Sequence, residues 1–147
     1  MRTDWTPLAQ EFQQALYQRI FHNQPYQDYV REYVASTLAG EFDSQLVYRK
    51  RLRRKLSDYE RNVPPHVRAA RLADEYNVAQ GRAQQYQNGG WISYVMTTSG
   101  PEPLENLHSP IDYDHYIERQ LEPVADGILP FLHDDFATLI TGQMGLF

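Results

Sequence analysis

Six of the seven residues from Arg49 to Lys55 are cationic (Arg49, Lys50, Arg51, Arg53, Arg54 and Lys55), a density that no core accommodates. The run must lie on a surface. Leu46-Val47-Tyr48 leads into it and predicts a strand over residues 46–50. A strand so charged can only be a solvated edge, where Lys and Arg discourage pairing with other chains. That role accounts for one or two cations, not for six followed by Arg61, Arg68 and Arg71.

Overall the chain is acidic, with a net charge of −5 over 147 residues. The distribution says more than the total. Between Arg49 and Arg71 nine Lys/Arg face two acids, Asp58 and Glu60, which sets that window at +7. Everywhere else five basic residues face 17 acidic ones, giving −12. A local field of this kind meets phosphates whatever the net charge is. The length suits one domain with a true core, and the 41% hydrophobic content is that of a globular chain rather than a disordered one. With no cysteine there are no disulfides or thiolate metal sites. No apolar run is long enough to span a bilayer and the N-terminus is no signal peptide, so a soluble, cytoplasmic protein without membrane partners is expected.

Thr6-Pro7 is a hydroxyl N-cap before a proline, and Leu8, Phe12, Leu16 and Ile20 repeat at i+4, predicting a helix to about residue 22. Tyr26, Tyr29, Val30, Tyr33, Val34 and Leu38 make a second amphipathic helix, ended by Gly40. The short connection predicts antiparallel packing of the two. Ser57 and Glu60 have capping-box spacing for a short turn. A helix over 66–79 follows, with Ala69, Leu72, Ala73 and Tyr76 inward and Gly81 closing it. Trp91 to Met96 read as a strand after the Asn88-Gly89-Gly90 turn, and Gly100 to Pro110 as a loop. From Asp112 the chain is helical, with Tyr113, Tyr116, Ile117, Leu121, Val124 and Ile128 inward and kinks at Pro123 and Pro130. Asp134 is the expected cap of a last helix to Ile140, closed by Gly142. The fold class is α+β, mostly helical, with a small antiparallel sheet containing 46–50 and 91–96. The first helix, taken alone, is expected to expose apolar surface, enough for self-association.

Familiar catalytic motifs are missing. There is no P-loop, no G-x-G-x-x-G and no G-x-S-x-G. The histidines at 22, 66, 108, 115 and 133 lack metal-ligand spacing. Asp112/Asp114 and Asp134/Asp135 sit where helices start, and neighbouring helical residues diverge by about 100° instead of converging on a cation. Arg68 and Arg71 share one face of a helix that opens at Pro65-His66, where free backbone amides suit a phosphate. Nothing nearby reads as a groove-reading helix or a base-stacking aromatic platform, so the expected binding is sequence-independent and salt-sensitive. Charge alone does not separate DNA from RNA.

Lys50 and Leu52, then Tyr59, then Pro65-His66-Val67 opening an Ala-rich helix, resemble the thumb of family B DNA polymerases. The resemblance runs on through Tyr94-Val95, Ile111-Asp112-Tyr113, Tyr116-Ile117, Gln120-Leu121, Pro123 and Ile128-Leu129. Upstream, Arg2-Thr3-Asp4-Trp5 resembles the end of the palm. The chain departs from the family at His115-Tyr116, where paired tyrosines are common, and at Gly89-Gly90-Trp91, where a Gly-Asp often precedes the strand. The resemblance implies a helix at the palm/thumb junction in 1–24, a thumb in 25–142, and contact with a primer–template duplex through Lys50, Arg51, Arg53, Arg54, Tyr59, His66, Arg68 and Arg71. It also implies that the catalytic palm, with its aspartates and Mg²⁺, belongs to the parent enzyme, so that this piece alone needs no cofactor and is inactive. The parent is expected to be bacterial and nucleoid-associated.

Residues 143–147 form a further motif. Gln143, Met144, Leu146 and Phe147 resemble the sliding-clamp-binding pentapeptide of bacterial polymerases. An amide that donates and accepts, followed by two apolar anchors, suits an apolar pocket with a polar rim. The competing reading of the whole chain is a free-standing, non-enzymatic adaptor that joins DNA to the clamp.

Overall fold

A computed structural model describes residues 5–144 of the chain. Its elements in order are α1 (Pro7–Phe21), α2 (Gln27–Leu38), β1 (Tyr48–Leu52), α3 (Pro65–Ala79), β2 (Gly90–Thr97), β3 (Gly100–Pro103), α4 (Tyr113–Tyr116), α5 (Glu122–Asp126) and α6 (Phe136–Met144). A π turn, Ile117–Leu121, joins α4 to α5. The architecture is the expected mostly helical α+β fold with one small antiparallel sheet, in the order β1-β2-β3. The chain divides into a helical unit, residues 1–46 with 113–147, and a sheet unit, residues 47–112. Both helices predicted before residue 40 belong to the helical unit.

In the helical unit the i+4 stripe of α1 buries Leu8, Phe12 and Leu16, and α2 runs back along it. The Tyr33 hydroxyl donates to the Leu8 carbonyl at 3.0 Å, and Tyr33 packs its ring on Phe12. Helix α1 ends with Asn23 left-handed and α2 with Gly40 left-handed. In each, the next amide reaches back to the carbonyl five residues earlier (Gln24 to Arg19, Glu41 to Ser36), the Schellman closure. The start of α1 is fixed from a distance. Gln120, buried in the π turn, accepts from the Thr6 N–H at 2.9 Å and the Thr6 hydroxyl at 2.8 Å. The same hydroxyl accepts from the Ala9 N–H at 3.4 Å. The π turn lies just before Pro123, whose ring and missing N–H interrupt regular α-helical bonding, so the predicted kink becomes a widened turn.

Several local expectations are corrected. Asp135, not Asp134, caps α6: its carboxylate accepts from the Thr138 N–H at 2.7 Å, while Asp134 accepts from the Tyr26 hydroxyl at 2.9 Å. His133 adopts a left-handed conformation, which shifts the helix start by one residue. Helix α6 passes through Gly142 to Met144 instead of stopping there. Leu38 lies at an exposed edge.

The sheet unit pairs β1 with β2 so that Tyr48, Lys50 and Leu52 oppose Tyr94, Ile92 and Gly90. These pairs share one face, and Leu52, Ile92 and Tyr94 join Val67, Ala70 and Ala73 of α3 in the core. Strand β1 starts at Tyr48, two residues later than predicted. The expected loop after Gly100 begins as β3, an edge strand where Pro101 and Pro103 are tolerated. Leu72 is 42% exposed, because the buried face of α3 follows His66, Val67, Ala70, Ala73 and Asp74 and leaves it outside that arc. Gly89 has to be glycine. Its φ is +99°, and a Cβ there would stand 2.8 Å from the Leu52 carbonyl oxygen.

Replacing Gln120 with leucine strands the Thr6 N–H and frees the start of α1. Urea unfolding should show a loss of about 2 kcal/mol, the usual cost of an unpaired buried donor.

Candidate nucleic-acid interface

The basic segment is built on α3. Two side chains one turn apart on that helix, Arg71 and Asp74, organise everything that carries the positive charge. The Arg71 guanidinium donates to the carbonyls of Leu56, at 2.9 Å, and Tyr59, at 2.6 Å. The Asp74 carboxylate, 2% exposed, accepts from the backbone of Gln85 at 2.6 Å and Tyr86 at 3.0 Å, and from the Gln87 side chain at 2.9 Å. Gln87 in turn accepts the Leu56 N–H at 3.1 Å. The loop after β1 is thus gripped from both sides. It turns through a 3₁₀ segment, Leu56–Asp58, whose buried Leu56 anchors it, in place of the predicted capping-box turn at Ser57.

On this frame the predicted contact residues separate into two groups. Lys50, Arg51, Arg53, Arg54 and Arg68 present their side chains to solvent. Tyr59 and His66 are buried and Arg71 is partly buried. Tyr59 lies edge-on to His66 with 6.2 Å between ring centres, and the Arg54 guanidinium sits 4.4 Å above the Tyr59 ring. That stacking holds Arg54 in place while leaving its charge outward, at about 0.5–1 kcal/mol for an exposed cation–π pair. His66, 6% exposed, has its pKa lowered by burial and by the neighbouring charge of Lys50. Its Nδ1 has no hydrogen-bond partner among the described residues. Burial therefore favours the uncharged imidazole, and Arg71 is a positioning residue for the loop.

The strand register also brings in Trp91, which the sequence did not single out as a site residue. Arg49 and Arg51 share the face of the sheet opposite α3 with Trp91 and Ser93. The Arg49 guanidinium lies 4.4 Å from the centre of the Trp91 ring. An exposed aromatic therefore does stand beside the cations, contrary to expectation. Trp91 and Arg49 are 42 positions apart, and only the pairing of Arg51 with Trp91 brings them together.

No group of three or more His, Cys, Asp or Glu able to hold a metal ion occurs among the described residues. No described helix is long and apolar enough to cross a membrane. The clamp-like motif lies at the edge of what is described: Gln143 and Met144 are in the last turn of α6, and Leu146 and Phe147 fall outside the described residues.

The solved family B DNA polymerase of Pyrobaculum calidifontis matches 84% of the chain with a TM-score of 0.65 and 27% identity, over 18% of its own length. By sequence the chain is 69% identical, over all 147 residues, to DNA polymerase II of Escherichia coli K12. The chain spans 19% of that polymerase. No protein-family model matches it.

Substituting Arg71 with methionine keeps most of the volume and removes both loop contacts. Amide exchange at residues 56–60 should accelerate by at least about tenfold, as expected when charged hydrogen bonds each contributing about 1.5–3 kcal/mol are lost, while exchange within α3 changes far less.

Proposed function

We propose that this chain is the DNA-gripping thumb segment of a DNA-directed DNA polymerase, and that it holds the primer–template duplex by its backbone. The observation that carries this reading is the group of five solvent-facing cations, Lys50, Arg51, Arg53, Arg54 and Arg68, on a strand, loop and helix that share one brace. Kinship with DNA polymerase II supplies the context in which such a surface works. Cations without a groove-reading helix neutralise phosphates and slide from one base pair to the next, as processive synthesis requires. In this reading Tyr59, His66 and Arg71 serve the duplex by setting the loop, and nucleotide transfer with its Mg²⁺ belongs to the palm of the parent enzyme. A cytoplasmic, nucleoid-associated bacterial enzyme is the matching setting.

A duplex contacted by five cations should show affinity falling with salt at a log–log slope of about −4.5, from about −0.9 for each neutralised phosphate. The double reversal Lys50→Glu with Arg51→Glu should flatten that slope by about 2 and weaken binding at every sequence alike. Fluorescence anisotropy with a blunt 20-mer duplex measures both. A chain with no salt-dependent duplex affinity ends this reading.

We further propose that residues 143–147 bind a bacterial sliding clamp, with Gln143 at the pocket rim and Met144, Leu146 and Phe147 as apolar contacts. The motif supports this, and so does the composition of α6. A glycine inside a helix costs about 1 kcal/mol relative to alanine, so the last turn after Gly142 opens at little expense to release an extended peptide. Removing residues 143–147 should abolish clamp binding in a calorimetric titration and leave duplex affinity intact. Unchanged clamp affinity would overturn the proposal.

A further inference from the structure

Side-chain alternation gives β1 two different positive faces. Lys50 points to the α3 side, towards His66, whereas Arg49 and Arg51 point away from it with Trp91. At its far end this outer face is tied down. Glu102, also on it, accepts from the backbone of His108 at 2.8 Å and Ser109 at 3.1 Å, and Thr98 donates to the Pro110 carbonyl at 2.9 Å. At the β1 end it is open, and Trp91 remains 52% exposed with Arg49 against its ring.

We infer that Trp91, Arg49 and Arg51 form a separate site for an unpaired nucleotide, with a base stacked on the indole and the flanking phosphates on the two guanidinium groups. A duplex does not explain an exposed indole, because its bases hide their faces in the stack and offer only edges and phosphates. An unpaired strand offers faces, and stacking on them is indifferent to sequence. Arg49 and Arg51 are two residues apart on an extended strand, about 6.8 Å. That spacing suits successive phosphates of an extended single strand. Arg49 over the indole adds a cation–π contribution and keeps the ring in one orientation. The inference rests on the duplex reading's basic segment and shares Arg51 with it, but adds Trp91 and Arg49 on the outer face of the strand, so substitutions at Trp91 separate the two.

The test compares a short oligo-dT strand with a blunt duplex on the full chain. Trp91→Ala should weaken oligo-dT binding by about tenfold, the effect of losing one stacked base, and leave duplex affinity unchanged. Trp91→Phe, which keeps a stacking ring, should retain most of the oligo-dT affinity and serves as the control that the sheet is intact. The chain has two tryptophans, Trp5 and Trp91, so the emission that Trp91→Phe removes is that of Trp91, and oligo-dT should quench it. Oligo-dT affinity equal in wild type and Trp91→Ala, or unquenched Trp91 emission at saturation, overturns the site. If oligo-dT binds with quenching while the blunt duplex does not bind, this site stands and the duplex reading falls.

Discussion

Like charges that no core can hold must be fastened from below, and α3 does this for the segment from Arg49 to Arg61. The fastening is made by groups that are themselves charged but are satisfied by backbone: Arg71 by two carbonyls, Asp74 by two amides and the Gln87 side chain. Backbone partners matter here. A carboxylate partner for Arg71 would have neutralised charge near the basic surface, whereas carbonyls satisfy the guanidinium and leave its charge in the local field. Arg71 thus contributes to stability and to potential at once, and each role limits what the other permits.

The ends of the helices were legible because their chemistry is local. Asn23, Gly40 and Gly81 are left-handed residues that follow amphipathic runs, and Gly81 closes α3 by the same pair of bonds as the other two, with Arg82 reaching the Asn77 carbonyl at 2.7 Å. Where the deciding partner is far along the chain, pattern reading failed. Asp134 and Asp135 are equivalent caps by sequence; the hydroxyl of Tyr26, 108 positions away, takes the first and leaves the second to α6. Residues 100–103 read as loop because two prolines argue against a strand, and only their place at the sheet edge removes the objection. Leu72 reads as core by type, yet the buried face of α3 includes an aspartate in its place because the 85–87 loop needs an acceptor there.

The same distinction divides the site. Residue type and density were enough to find the cations, since exposure of Lys and Arg is the default. They were not enough to tell an exposed side chain from a buried one. His66 and Tyr59 lie among the candidates in sequence but under the surface in space, and Arg71 faces inward although Arg68, one turn earlier, faces solvent. Trp91 was legible only as a strand former. Its nearness to Arg49 is a property of register, and register is fixed by the Gly89-Gly90 turn and by the burial of Leu52 against Ile92.

Register therefore does more than close the core. Because strand period is two, a slip of one residue would exchange the faces, putting Lys50 on the outer face and carrying an arginine into the buried place of Leu52 under α3. Burying an unpaired guanidinium group costs several kcal/mol, far more than the cation–π pair returns. The positive charge that looks like the awkward feature of β1 is thus what holds its pairing in place. The burial of Leu52 admits one register, and an arginine in its place forbids the alternative. The placing of Lys50 on the α3 side and of Arg49 and Arg51 on the outer face follows from that single choice, so a substitution that relaxed the register would alter both faces together.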